Sequence, residues 1–383
     1  MKYFPLVWAG LWRKRVRTGV TFVCIVVAFV LMGTLKGIAG GLNAIIEGFS
    51  DARLRVQSKV NLTQPLPLAM RGVIEQIPGV RRVGYAASFG GFYQDPKNPL
   101  VSSALDLPSF LEIYPEILLP PEQRKAVLET PTAALVGAEL AERFGWKVGD
   151  RVPVQSRFWA RADGSKTWTF DVMGIYRVKN TAVPAHGFFV SFRYFDEARA
   201  MANGLVNQFL VQIESPEAAD RVSQQIDAAF ANSANETITQ SEKTYLRVRL
   251  GQIGDIGFFV NAVAGAMLFL LLALTINVMM QSVRERIPEL AVLRALGYGD
   301  MQVTSIVFSE ALLMCTLAAL LGLALASMGF PLVLRGLGFG IVPMPTSVIA
   351  LGLIVAATLA VVSSAQPLWS LTHMSIVSGL RRA

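Results

Sequence analysis

The chain has 383 residues, enough for two or three domains. Hydrophobic residues make up 53% and charged residues only 16%, where a soluble globular chain carries about 25% charged; the mean hydropathy is +0.46. This excludes disorder and an ordinary soluble enzyme, and predicts a protein partly in a bilayer and partly in water. The net charge of +8 is unevenly placed. Residues 41–255 hold 23 basic and 23 acidic side chains, while the remaining 168 residues hold 12 basic and 4 acidic. All of the excess flanks apolar runs, as expected beside anionic lipid. Nucleic acid is therefore not expected as a partner, since that would need a basic face on a soluble domain.

The first predicted element is a basic N-terminal helix leading into an apolar run, Thr18 to Leu35, uncharged over 18 residues and bounded by Arg17 and Lys36. A bilayer crossing takes about 20 residues, and Lys36 can snorkel to lengthen the run. A cleaved signal peptide also begins with a basic front. Its apolar core is about 7–15 residues, however, and here Lys36 precedes the small-residue stretch Ile38-Ala39-Gly40-Gly41 where a cut would fall. Residues 1–40 are thus read as a cytoplasmic helix and first transmembrane span.

Residues 41–255 form the polar block. Arg55 to Leu62 reads as a strand, Leu68 to Ile77 as a helix stopped by Pro78-Gly79, and Val80 to Tyr93 as a second strand region. Near the other end, Val206 to Glu214 reads as a strand, Pro216 to Asn232 as a helix with proline at its start, and Glu236 to Gln240 as a strand. Strand–helix–strand occurs twice, about 55–98 and 204–240, which are the elements of a split βαβ domain. The middle, about 99–203, has a helix at Gly137 to Phe144. Its strand candidates are Arg151–Gln155, Thr167–Tyr176 and Gly187–Val190. It reads as a β-rich insertion. A stalk helix is expected over about 241–255, with Ser241 as N-cap. Ile38 to Leu54 can extend the first span in the same way, although Gly40-Gly41 interrupts it.

Three further spans occupy 256–383. Ile256 to Val283 has 28 uncharged residues, Val303 to Leu334 has the single charge Glu310, and Gly336 to Thr372 has no Asp, Glu, Lys or Arg. Pro343 and Pro345 precede the last span and Pro367 marks its expected end. Lys and Arg counts in the short segments place both termini and the link around 284–297 in the cytoplasm, and the 215-residue block outside. The link should be a short helix with Pro288 in its first turn and Gly297 as its stop. At 100° per residue, Ile287, Leu290 and Ala291 fall on one side and Val292 and Leu296 nearly opposite. A helix apolar on most sides is expected to be covered on most sides, hence by a partner protein; the alternative is a helix resting on lipid headgroups. Glu310 is costly within a span, by about 2.5–3.5 kcal/mol at the centre. It is expected either to contact the link or a partner chain, or to sit at headgroup depth.

Other chemistry is thinly represented. Cys24 and Cys315 lie inside apolar runs, so no disulfide can staple the polar block. His186 and His373 have no Cys or His neighbours, and nothing suggests a metal site. No Gly-Lys dipeptide occurs, which excludes a Walker A loop, and no G-x-S-x-G or H-E-x-x-H is present. No catalytic residue, cofactor or metal site is expected in this chain.

The link resembles the signature of MacB/FtsX-like permeases of ABC transporters, R-x-x-E-[IL]-x-[VI]-x-[RK]-A-[LI]-G. The matching residues are Arg286, Glu289, Leu290, Arg294, Ala295, Leu296 and Gly297, with Pro288 where many members have a basic or polar residue. Glu310-Ala-Leu-Leu in the third span, the tail from Pro367 to Arg381, and the segments Val136-Gly-Ala-Glu-Leu-Ala and Gly145-Trp-Lys-Val-Gly-Asp150 also fit. The tail departs in having Leu368-Trp369-Ser370-Leu371 where the family is usually basic. The resemblance implies an α-helical membrane protein with four transmembrane helices and an α+β extracytoplasmic domain inserted between helices 1 and 2. It implies a non-catalytic permease in the cell (inner) membrane, paired with a second permease chain as homodimer or heterodimer, and with a separate ABC ATPase that holds the ATP and Mg. A periplasmic adaptor is an optional further partner. Arg284, Arg286, Glu289, Leu290, Arg294, Leu296 and Gly297 would couple to the ATPase, with Glu310 as an intramembrane acid. The expected function is export or extraction of a substrate by ATP-driven movement of the outer domain. Alternatives are release of lipoproteins from the outer leaflet and regulation of a cell-wall hydrolase, whose usual members have a much smaller outer domain.

Overall fold

The computed structural model describes residues 15–61, 64–179, 185–251, 255–336 and 344–372. The chain divides into two compact units, one of Met1–Asn43 with Asp255–Ala383 and one of Ala44–Gly254.

The first is the membrane unit. Helices α1 (Arg15–Glu47), α9 (Ile256–Glu285), α11 (Asp300–Gly336) and α12 (Thr346–Thr372) each contain a stretch long and apolar enough to cross a bilayer. Between α9 and α11 lies the short α10 (Ile287–Ala295). The shared core is built from Ile25 and Phe29 of α1, Ala264 and Leu271 of α9, Met314, Cys315 and Ala318 of α11, and Ala356 and Leu359 of α12. Helices in lipid gain little by hiding apolar area and associate through close packing at small residues. Gly322 of α11 shows this: a Cβ there would come within 2.7 Å of both Phe29 Cβ and the Val26 carbonyl oxygen. α1 runs unbroken through Gly40-Gly41 to Glu47, and a Cβ on Gly40 would approach Pro345 to 3.2 Å. α12 passes through Pro367 to Thr372 instead of stopping there. Proline is tolerated inside transmembrane helices because local adjustments and neighbours re-satisfy the freed backbone groups.

The second unit is α+β. Its strands are β1 (Arg53–Ser58), β2 (Leu66–Pro67), β3 (Val80–Ser88), β4 (Gly91–Phe92), β5 (Val101–Leu105), β6 (Ile117–Leu118) and β7 (Ala133–Gly137). They continue with β8 (Arg151–Ser156), β9 (Thr167–Val178), β10 (Gly187–Ser191), β11 (Leu205–Val206), β12 (Gln208–Ile213) and β13 (Thr237–Ser241). Its helices are α2 (Arg71–Glu75), α3 (Leu107–Ile113), α4 (Pro121–Glu129), α5 (Ala138–Phe144), α6 (Phe192–Ala198), α7 (Ala219–Ala229) and α8 (Glu242–Gly251). One sheet runs β13-β1-β12-β3-β5-β10-β7-β9-β8-β4, with β6 paired to β9. The segment β13-β1-β12-β3 is antiparallel throughout and interleaves the two strand–helix–strand halves. That is the split βαβ arrangement. Residues 99–203 do not build a separate sheet. They extend the same one through β5 on β3, and they carry helices α3 to α6 as well as strands. Two of their pairings, β5–β10 and β7–β9, are parallel. Parallel neighbours need crossover connections, which the helices supply. α5 is the helix expected at Gly137 to Phe144, whereas α3, α4 and α6 have seven to nine residues, too short for a 3.6-residue period to stand out.

Both faces of the sheet are covered. Trp168, Phe170 and Val172 of β9 face a large cluster with Phe89, Phe188, Phe195 and Phe209. Tyr176 of the same strand faces a second cluster with Phe110, Tyr114 and Phe189. All four have even numbers and would share a face in a regular strand. The β7–β9 register shifts between Ala134 and Leu135, so that Ala134 pairs with Val172 and Leu135 with Gly174. The extra residue exchanges the faces.

Candidate functional site

The link between α9 and α11 holds most of the residues singled out from the sequence. α9 ends at Glu285 with Arg284 in its last turn, so Arg284 belongs to that helix and not to the link helix. Arg286 breaks the helix with φ −102°. α10 follows, with Pro288 in its first turn, where no helical hydrogen bond is lost, and with Glu289 at the electropositive end. Gly297 has φ +96°, a conformation glycine adopts without a Cβ penalty, and so ends the link.

One side of α10 is fixed to its own chain. Leu290 is buried with Val283 of α9 and Val303 and Val307 of α11, with Tyr298 packed alongside. Two ion pairs brace the same end of the membrane unit. Arg286 Nη1 donates to Glu310 Oε2 at 2.6 Å, and Arg17 Nη1 donates to Glu285 Oε2 at 3.0 Å. The Arg286 and Glu310 side chains are 16% and 8% exposed. A charge-assisted bond in such surroundings is stronger than on an open surface. Arg286 Nε also lies 3.9 Å from Glu289 Oε2. Glu310 therefore contacts the start of the link.

The opposite side of α10 faces outward. Val292 is 48% and Leu296 71% exposed, and Glu289 is exposed beside them. Met301, at the start of α11, is 83% exposed. Arg294 lies on α10, but its side chain is outside the described residues. The arrangement can receive a complementary surface. Among the described residues no group of three His, Cys, Asp or Glu side chains is placed to hold a metal ion.

A second polar cluster has no counterpart in the sequence reading. Glu242, the first residue of α8, is fully buried. Its carboxylate accepts from Arg53 Nε at 2.9 Å, from Arg55 Nη2 at 3.1 Å and from the Tyr114 hydroxyl. The partners are 128 to 189 residues distant in sequence, so no local spacing could have revealed them. Burial acts to lower the pKa of Arg53 and Arg55, but the Glu242 carboxylate carries both above the ordinary arginine value. Burial, with Glu242 beside it, pushes the Tyr114 phenol up. The arginines therefore stay charged and the phenol stays a donor.

Residues 18–229 match the family described as the MacB-like periplasmic core domain, and residues 261–376 match the FtsX-like permease C-terminal family. The chain therefore belongs to the MacB/FtsX-like family of ABC transporter permeases, a family of membrane proteins. No curated protein matches it. Among solved structures, the extracellular domain of the ABC-type transporter YknZ from Gram-positive bacteria is 12% identical with a TM-score of 0.36, covering 49% of this chain and 98% of that one. The periplasmic region of MacB from Actinobacillus actinomycetemcomitans is 8% identical with a TM-score of 0.38, covering 53% of this chain and 94% of that one.

Proposed function

We propose that this chain is a permease subunit whose link helix α10 docks on a separate cytoplasmic ABC ATPase. ATP and Mg would sit on that ATPase, and its movement would pass through α9 and α11 toward the α+β unit, outside the membrane. A second permease chain completes the pair. The observation carrying this reading is the two-sided use of α10. Leu290 and the Arg286–Glu310 pair fix it to the membrane unit, while Val292, Leu296 and Glu289 are presented outward. Exposed apolar residues on a helix already anchored from behind suit a partner groove. The basic residues at the N-terminus and in the link support a cytoplasmic position for this end. Driven movement of the α+β unit would serve export or extraction of a substrate.

The test is copurification with the co-expressed ATPase. Leu296→Asp places a charge in the docking patch, and Glu289→Ala and Arg294→Ala each remove a charge that docking would pair across the interface. Losing one partner of such a buried pair costs about 2–5 kcal/mol, at least about thirtyfold in Kd. The expected result is loss of copurification, or hydrolysis uncoupled from the permease, with normal membrane insertion. Glu122→Ala, on exposed α4, should do neither. Full copurification and full permease-coupled hydrolysis in all three link variants would overturn docking and favour a helix lying on headgroups.

A further inference from the structure

α8 is the segment through which the chain leaves the sheet toward α9, and its attachment is unusual. A surface helix normally holds to its domain by an apolar stripe. In α8 the one buried residue is Glu242, an acid. Tyr245 and Leu246 are only partly covered, and Val248 is exposed. What fastens this helix is therefore a carboxylate and not apolar area.

That carboxylate is gripped from several directions. Both of its oxygens are used, Oε2 by Arg53 and Oε1 by Arg55 and Tyr114. The grips are themselves fixed. Arg53 Nη1 also donates to Glu116 Oε1 at 2.7 Å and to the Ile113 carbonyl, and its guanidinium stands 4.5 Å from the Tyr114 ring centre. Arg55 Nη1 reaches Gln208 on β12, and its guanidinium lies 4.9 Å from the ring of Tyr245 on α8. Two arginines face two glutamates, so the cluster is neutral in sum. Such a cluster is a poor way to gain stability, since apolar side chains of similar volume commonly do as well or better. Its particular property is direction: several donors of fixed origin meet at one carboxylate and permit one heading of the helix.

An outer set of pairs lies nearby. Lys243 pairs with Glu47 and Asp51, and Arg247 with Glu47. Glu47 is 56% exposed, as is Arg247. Their carboxylates are half exposed, and pairs open to solvent contribute little and are screened by salt. They cannot set a heading alone.

We infer that Glu242, held by Arg53, Arg55 and Tyr114, is a positioning residue that fixes the heading of α8 on the sheet, so that helix and sheet move as one body. The relay of ATP-driven movement through this anchor rests on the docking reading above; the fixed heading does not.

The experiment uses the full chain in lipid nanodiscs, with Cys24 and Cys315 replaced by alanine. Spin labels are placed at Arg249→Cys, exposed near the end of α8, and at Arg81→Cys, exposed on β3. The parent should give one narrow distance within the chain, unchanged at high salt. Glu242→Gln should lose it for a broad distribution, while the thermal midpoint of the α+β unit stays within the range of the other variants. Lys243→Ala should keep the narrow distance. If Glu242→Gln does not fold, Tyr114→Phe, which removes one donor and no charge, should show a partial broadening. A distance as narrow in Glu242→Gln, or in a folded Tyr114→Phe, as in the parent overturns the inference, as does broadening in Lys243→Ala alone. No ATPase takes part, so this failure leaves the docking reading intact, and failure of docking leaves this measurement to be decided separately.

Discussion

Gly137 shows how one residue of the Val136-Gly-Ala-Glu-Leu-Ala segment acts. It ends β7 and precedes α5 with φ −68°, so its backbone suits any residue. The constraint is space: an added Cβ would lie 2.1 Å from the Ala185 carbonyl oxygen and 2.9 Å from the His186 nitrogen. Backbone cannot swing aside as a side chain can. Gly137→Ala should destabilise the α+β unit by about 1–3 kcal/mol, as overpacking does. A lower thermal midpoint should report this, and a surface change such as Glu122→Ala should leave it unmoved. Glycine was visible in the sequence; the reason for it lies in a chain segment 48 residues away. Gly297 is the contrasting case, because a helix stop is a local requirement and is legible locally.

At the scale of elements, the start of the link and α11 are joined by Arg286 and Glu310. An acid in an apolar run could have faced the link, a partner chain or the headgroups, and spacing alone does not choose. The fold chooses by bringing the first residue of the link against the third turn of α11. Removing one partner of a buried pair strands the other, at about 3–5 kcal/mol. Glu310→Ala and Arg286→Ala should each lower the thermal midpoint of the membrane unit in lipid. The double exchange Arg286→Glu with Glu310→Arg should recover part of the loss. No recovery, together with single variants that melt like the parent, would show that the pair does not fix the link. Residues 99–203 were legible as strands wherever polar and apolar residues alternate, as in β8 and β9. The fully apolar β7, buried on both faces, and the short α3 and α4 lack a period to read.

For the whole molecule, orientation is the property that charge counts address most directly. If ten of the twelve basic residues outside 41–255 face the cytoplasm, the α+β unit faces out. Asp163→Cys, exposed between β8 and β9, should react with an impermeant thiol reagent in intact spheroplasts. Leu296→Cys should react only after permeabilisation. The reverse pattern would invert the topology and remove the basis for a cytoplasmic docking helix.

Composition and local period were enough for four apolar runs, a neutral polar block between the first two, a proline-started and glycine-stopped link, and two strand–helix–strand halves. Each follows from contacts within a few residues or from transfer between water and lipid, which is additive along a chain. Tertiary packing set the rest: the joining of the β-rich insertion to the same continuous sheet, the exchange of faces at the β9 bulge, the partner of Glu310 and the burial of Glu242. These depend on groups that meet only when distant segments pack, and a buried charge is tolerated only where its partners are already in place.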